Sequence, residues 1–290
     1  MTPLLGPRTL ERLSVLDVVV RRAAGGGRSG ERTAGVAGVG TIFREHRTYS
    51  QGDDPRYVDW NVYARQRTLH VKVYELEENL DVHLLVDTTG SMGSGPGSKL
   101  EAGLRAAAMV GVVALSRGDV VRATLLPGRA TPAMTGSAST RTLLEVLGAA
   151  KTDPRVSIDA AVRTRFPQIR RRAFALLVTD FLDNLQWWRR AVEHLHSRHI
   201  EVACLHVISP AERTPPPSGS LRLSDVETGE YFDVDVDDEV IASYRMWFDR
   251  RMRAIRAFLR AQRMPHVVVD SGRAGEAELL RHLLREGVLR

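Results

Sequence analysis

The chain has 290 residues, 43% hydrophobic and 26% charged, an ordinary globular balance with material for about two domains or one α/β domain with additions. Its net charge of +6 comes from 41 Lys and Arg against 35 Asp and Glu, mixed along the chain and without a recognisable nucleic-acid module, so no nucleic-acid partner is expected and acidic protein partners stay open. No apolar run reaches the roughly 18–20 residues of a membrane span, residues 1–12 lack a signal-peptide pattern, and the single cysteine, Cys204, excludes an internal disulfide; a soluble cytoplasmic protein is the expectation.

Residues 9–22 carry Leu10, Leu13, Leu16, Val18 and Val20 at helical spacing, although the β-branched Val18-Val19-Val20 run weakens a helix. Residues 23–40 are Gly-rich with Arg28 and Arg32 and read as a mobile basic loop; their glycines fit neither the P-loop nor the dinucleotide pattern. Residues 41–79 are dense in charge and aromatics, with turn chemistry at Gln51-Gly52-Asp53-Asp54-Pro55 and an alternating strand over 69–74. Asp and Arg beside Trp60 could form a site, but such residues more often tie an irregular segment together through charge-assisted bonds. Residues 1–79 are therefore expected to form an N-terminal extension containing β structure, packed on a main domain of residues 80–290.

From Asp81 the pattern changes to strand–helix alternation. Strands are expected at 81–87, 120–126, 173–179, 201–208 and 266–270, with a shorter piece over 130–134. Helices are expected at 99–116, 140–150, 158–168, 186–199 (Trp187 or Trp188 inward), 237–263 and 276–285. A hairpin insertion at about 211–236 turns at Glu227-Thr228-Gly229-Glu230. The alternation implies βαβ units and a doubly wound, mostly parallel α/β sheet.

Two apolar strands end on acids, Asp87 and Asp180. In such a sheet the C-terminal strand ends share one rim, where ligands bind. Asp87, Thr89 and Ser91 present hard oxygens at alternate positions, as a small divalent cation requires. The plain alternative is that Asp87 ends a strand and Ser91 caps the next helix.

Asp87-x-Thr89-x-Ser91 resembles the D-x-S-x-S motif of von Willebrand factor type A domains, whose adhesion site binds Mg²⁺ or Mn²⁺. The resemblance assigns Asp180 as the distal acid and Ser157 as the match to an intervening Thr, so the implied metal set is Asp87, Thr89, Ser91, Ser157 and Asp180. Thr89 and Ser157 depart in type from the residues usual there, though both keep a hydroxyl. Gly40-x-x-Phe43-Arg44-Glu45-x-Arg47-x-Tyr49-x-x-Gly52-Asp53-Asp54-Pro55-Arg56-x-x-Asp59-Trp60-x-x-x-Ala64-Arg65 and Asp225-Val226-Glu227-Thr228-Gly229-Glu230 are similar to signatures of the bacterial "domain of unknown function 58" family. Its members look like von Willebrand type A proteins encoded beside a MoxR-class AAA+ ATPase. The resemblance thus implies a non-enzymatic adaptor working with such an ATPase and client proteins in maturation or remodelling.

Two rival readings use the same rim: a metal-dependent phosphoester hydrolase, for which no second metal site or general base stands out, and a scaffold whose metal site is degenerate. Ser91 lacks the elbow context of a nucleophile. His83, His194, His196, His199 and His206 lack an acid-bearing metal motif and read as core or surface residues. The acids of 233–239 lack the Ca²⁺-loop pattern and read as a solvated hairpin edge and a helix start.

Overall fold

A computed structural model describes residues 3–19, 42–75, 79–93, 98–126, 128–152, 173–182, 185–198, 200–214, 218–225 and 229–290. The Gly-rich loop expected over 23–40, the helix expected over 158–168 and Ser157 before it lie outside the described residues. The chain divides into a larger unit, Met1–Arg21 with Leu80–Arg290, and a smaller one, Arg22–Asn79.

The first helix, α1 (Pro7–Leu13), belongs to the larger unit and starts on Pro7, which suits a helix N-terminus because that N–H needs no partner. It is shorter than the expected helix. Val18 bridges Leu289 and the Val19 N–H donates to the Val288 carbonyl at 2.9 Å, so Val18 and Val19 pair along the chain end instead.

In the smaller unit, β1 (Ile42–Thr48) pairs antiparallel with β2 (His70–Glu75), and between them lies α2 (Trp60–Gln66). The unit is held by polar ties, as its composition suggests. Asp59 caps α2 by accepting from the Asn61 and Val62 N–H groups at 3.0 and 3.3 Å, and its other oxygen meets His46 at 3.0 Å and Lys72 at 3.3 Å. Arg47 binds Asp53 at 2.6 Å, while Asp54 caps the turn at Pro55–Tyr57 and pairs with Arg56. His46 above all, with Lys72 and the Val62 and Asn61 N–H groups, holds the Asp59 carboxyl down at about 2.

The larger unit continues with β3 (Asp81–Asp87), α3 (Gly90–Gly93), α4 (Lys99–Ser116), β4 (Val120–Leu126), β5 (Arg129–Ala130), β6 (Met134–Thr135) and α5 (Thr140–Gly148). Then come β7 (Ala173–Thr179), α6 (Leu185–Ser197), β8 (Ile200–Ile208), α7 (Pro210–Arg213), β9 (Gly219–Ser224), β10 (Tyr231–Val236), α8 (Asp238–Ala261), β11 (His266–Asp270) and α9 (Glu276–Arg285). Among the described residues the main sheet has seven strands in the order β11-β8-β7-β3-β4-β5, with β6 also on β4. Its five long strands run parallel; β5 and β6 are antiparallel to β4. The single strand expected over 130–134 is two short pieces, because Pro132 between them has no N–H to give a ladder. β9 and β10 form a separate hairpin, with Gly229 at φ +76 in its turn.

Strict alternation sends the strand residues into two cores. Val82, Leu84 and Val86 of β3, with Leu176 and Val178 of β7, pack under α4, α5 and α9. Leu85, Ala175, Leu177 and Cys204 face the other way, against Trp188, Ala191 and Leu195 of α6 and Ile255 and Leu259 of α8. This two-sided burial is why the strands read as unbroken apolar runs. Trp188 is the inward tryptophan; Trp187 faces solvent. Helix α4 lies close on the sheet: a Cβ on Gly103 would stand 2.6 Å from Val178 Cγ1. Among the described residues no helix is long and apolar enough to cross a membrane.

Candidate cation site at the sheet rim

Strands β3 and β7 are parallel neighbours with Val86 level with Val178, so Asp87 and Asp180 leave the sheet at the same rim. Asp87 is buried to 1% exposure, and among the described residues Thr89 and Thr179 hold its two oxygens. Oδ1 accepts from the Thr89 N–H at 2.9 Å and the Thr89 hydroxyl at 2.8 Å, and Oδ2 accepts from the Thr179 hydroxyl at 2.7 Å. Thr89 Oγ1 lies 3.1 Å from Ser91 Oγ. Burial pushes the Asp87 carboxyl up to about 7; the charge of Asp180 adds to this and the three donors oppose it.

Asp87, Thr89 and Ser91 are thus brought together as the motif implies. The chain turns at Thr89, whose carbonyl accepts from Met92 N–H at 3.1 Å to start α3, and the alternate spacing puts the three oxygens on one side. The donor set of one carboxylate and two hydroxyls consists of the hard oxygens that Mg²⁺ takes, and it is this chemistry that fits the ion. Among the described residues no three His, Cys, Asp or Glu side chains converge, so any cation here would rely on hydroxyl oxygens.

Asp180 reaches the rim but is already engaged. Its Oδ1 accepts from the Leu182 N–H at 3.0 Å, and its Oδ2 lies 2.7 Å from the Nζ of Lys99, a fully buried lysine on the first turn of α4. Lys99 also pairs with Glu212 of α7. Glu212 is fixed in turn by a capping box with Ser209, its Oε2 accepting from the Ser209 N–H at 2.8 Å, while the Tyr244 hydroxyl donates to its carbonyl at 2.8 Å. Lys99, Glu212 and Thr179 were not singled out by sequence reasoning. The one local hint was a lysine in the first turn of a helix, where the dipole disfavours a cation.

His206 is buried behind Asp180 and stays neutral, its pKa driven down to about 3 by burial and then by His266. His83, inside β3, is lowered to about 4, again chiefly by burial. Burial raises the Cys204 thiol, which leaves it inert. Beside the rim lies an open groove of about 800 Å³ lined by Thr88, Leu125, Pro132, Val146 and Ala150 with Lys151 at its edge.

The fold and rim define an α/β protein whose polar residues gather at the C-terminal edge of a mostly parallel sheet. The chain belongs to the family described as "Protein of unknown function DUF58", whose model matches residues 45–257. It is 29% identical over 243 residues to the uncharacterized protein Mb1516 of Mycobacterium bovis and, equally, to Rv1480 of Mycobacterium tuberculosis, covering 80% of this chain and 75% of each relative. Among solved structures it is similar to the conserved hypothetical protein BatB from Bacteroides thetaiotaomicron, with 15% identity and a TM-score of 0.39, covering 72% of this chain and 98% of that one. An aerotolerance-related membrane protein from Bacteroides fragilis matches at 18% identity and the same TM-score of 0.39, covering 71% and 100%.

Proposed function

We propose that the protein is a von Willebrand factor type A-like binding module, not an enzyme, whose rim takes a divalent cation and through it an acidic side chain of a protein partner. The observation that carries this reading is the linked trio of Asp87, Thr89 and Ser91 oxygens at the end of β3. These three residues would hold Mg²⁺, or Mn²⁺, and the ion would supply a hard positive charge for the partner's carboxylate. Asp87 gives the anionic ligand, and the Thr89 hydroxyl, now donating to Asp87, would rotate to offer a lone pair. Thr179 holds the other Asp87 oxygen in place. In this reading the partner is a MoxR-class AAA+ ATPase, and the protein serves as its cytoplasmic adaptor to client proteins.

The rival reading, a metal-dependent phosphoester hydrolase on the same rim, would need a second metal or a general base. The scaffold reading gains from one observation, the capture of Asp180 by Lys99. Calorimetric titration with Mg²⁺ separates them: the wild type is expected to bind and Asp87→Ala to lose that binding. Indistinguishable titrations would remove the cation from the mechanism. Co-purification with and without chelator then tests the partner, with recovery of an AAA+ ATPase only in Mg²⁺ as the expected result.

A further inference from the structure

Lys99 is the only lysine in the described chain that is wholly buried, and it sits where a cation is least welcome. Lys99 opens the first turn of α4, where the positive end of the helix dipole lies. An ammonium taken out of water there must be compensated closely. Asp180 and Glu212 provide that compensation from 81 and 113 residues away in sequence, so two carboxylates from distant segments converge on one nitrogen. Each carboxylate is in addition held by a backbone N–H, Asp180 by Leu182 at 3.0 Å and Glu212 by Ser209 at 2.8 Å. The pair is a built cluster, not a surface contact.

We infer that Lys99 is the rim's tethered counter-cation: its ammonium takes the Asp180 oxygen that a divalent ion would draw on, and so sets the metal affinity of the site. The inference rests on the reading of the rim as a cation site. With Lys99 in place, Asp87, Thr89 and Ser91 act alone, and part of the negative charge that would attract Mg²⁺ is cancelled before the ion arrives. A partner that brings its own carboxylate restores that charge, so the ion and an acidic partner are favoured together over the ion alone. Removing the ammonium frees both Asp180 and Glu212 and leaves two uncompensated carboxylates, a stronger demand for a divalent cation.

The test is Mg²⁺ titration calorimetry on the full chain with wild type, Lys99→Met and Lys99→Arg, supported by melting temperatures with and without 10 mM Mg²⁺, a concentration of roughly the size that reveals weak linkage. Lys99→Met is expected to bind Mg²⁺ at least tenfold more tightly than wild type and to regain in Mg²⁺ most of the melting temperature it loses without it. Lys99→Arg, which keeps the charge on a bulkier planar fork, is expected not to tighten Mg²⁺ binding. Glu212→Gln covers the case in which Lys99→Met fails to fold: the ammonium then rests on Asp180 alone, and Mg²⁺ binding is expected to weaken severalfold. Wild-type binding that depends on Asp87 but does not tighten in Lys99→Met, or does not weaken in Glu212→Gln, overturns the inference and leaves the cation reading standing. Binding by Lys99→Met with none by wild type supports the inference and overturns the cation reading of the native protein. No binding by either overturns both.

Discussion

The hydroxyl of Thr179 donates to Asp87 Oδ2 at 2.7 Å, tying the ends of β7 and β3 together through the carboxylate the rim is built on. The same oxygen of Thr179 accepts from the Phe181 N–H at 3.1 Å, so one side chain serves the acid and the turn that follows β7.

Thr179→Val keeps the shape and removes the donor. Asp87 ionises near 7 in the folded protein against 3.8 when free. Folding therefore favours its protonated form: this contribution is complete below about pH 3.8 and is lost as the pH rises through 7. Above pH 7 the buried anion depends on its three donors. The variant is expected to lose about 1–3 kcal/mol at pH 8 and clearly less at pH 5, read from urea unfolding at both values. An equal loss at the two pH values would show that Thr179 does not support the charged form.

His206 gives the opposite dependence. Its pKa is lowered to about 3 in the fold, so its neutral form stabilises the protein above pH 6.5, and this is lost as the pH falls toward 3. Between about pH 4 and 5.5 that single group contributes a slope of about 1.4 kcal/mol per pH unit. His206→Phe fits a site already flanked by the rings of Phe181 at 5.1 Å and His266 at 5.6 Å. It is expected to flatten the acid limb of the stability curve by that slope. An unchanged limb would mean that His206 does not stay neutral in the fold.

Gly103 tests how tightly α4 lies on the sheet. An added Cβ would meet Val178 Cγ1 at 2.6 Å, and a β-branched side chain within a central strand has little room to turn away. Overpacking of this kind typically costs about 1–3 kcal/mol, against a helix-propensity gain of about 1 kcal/mol. Gly103→Ala is expected to be destabilising on balance, while Gly148→Ala, with nothing within 4 Å, is expected to be neutral or slightly stabilising. Thermal unfolding of the two variants side by side decides it.

The sheet and its helices were legible because their physics is local. Strands β3, β7 and β8 are buried on both faces and so carry continuous apolar runs, and α4 begins and ends at the expected residues, Lys99 and Ser116. Asp87 and Asp180 were visible as acids that end such runs. β1 and α2 were not legible, since they are held by ion pairs such as Arg47–Asp53 and by the Asp59 cap and show no hydrophobic period. Lys99 was hidden for another reason. A lysine beside Leu100 reads as a solvated helix start, and its two partners are brought to it only by the completed sheet.

The turn after Asp180 carries the last prediction. Phe181 adopts φ +53, a left-handed conformation that a bulky residue takes at a cost of about 1–2 kcal/mol. Two sets of contacts hold it there. Its ring packs edge-on against Trp188 at 5.2 Å and against His206, and the Arg251 guanidinium from α8 donates to the carbonyls of Phe181 and Leu182, the latter at 2.8 Å. The planar fork of arginine reaches two successive carbonyls, which a lysine ammonium on a single point cannot match. Arg251→Lys is expected to lower stability by about 1.5–3 kcal/mol and to speed amide exchange at Phe181 and Leu182, whose N–H groups are held by Thr179 and Asp180. Amides in the middle of α4 should change only by the global loss. Uniform acceleration across the chain would show that Arg251 stabilises the fold as a whole and does not hold the Asp180 turn in particular.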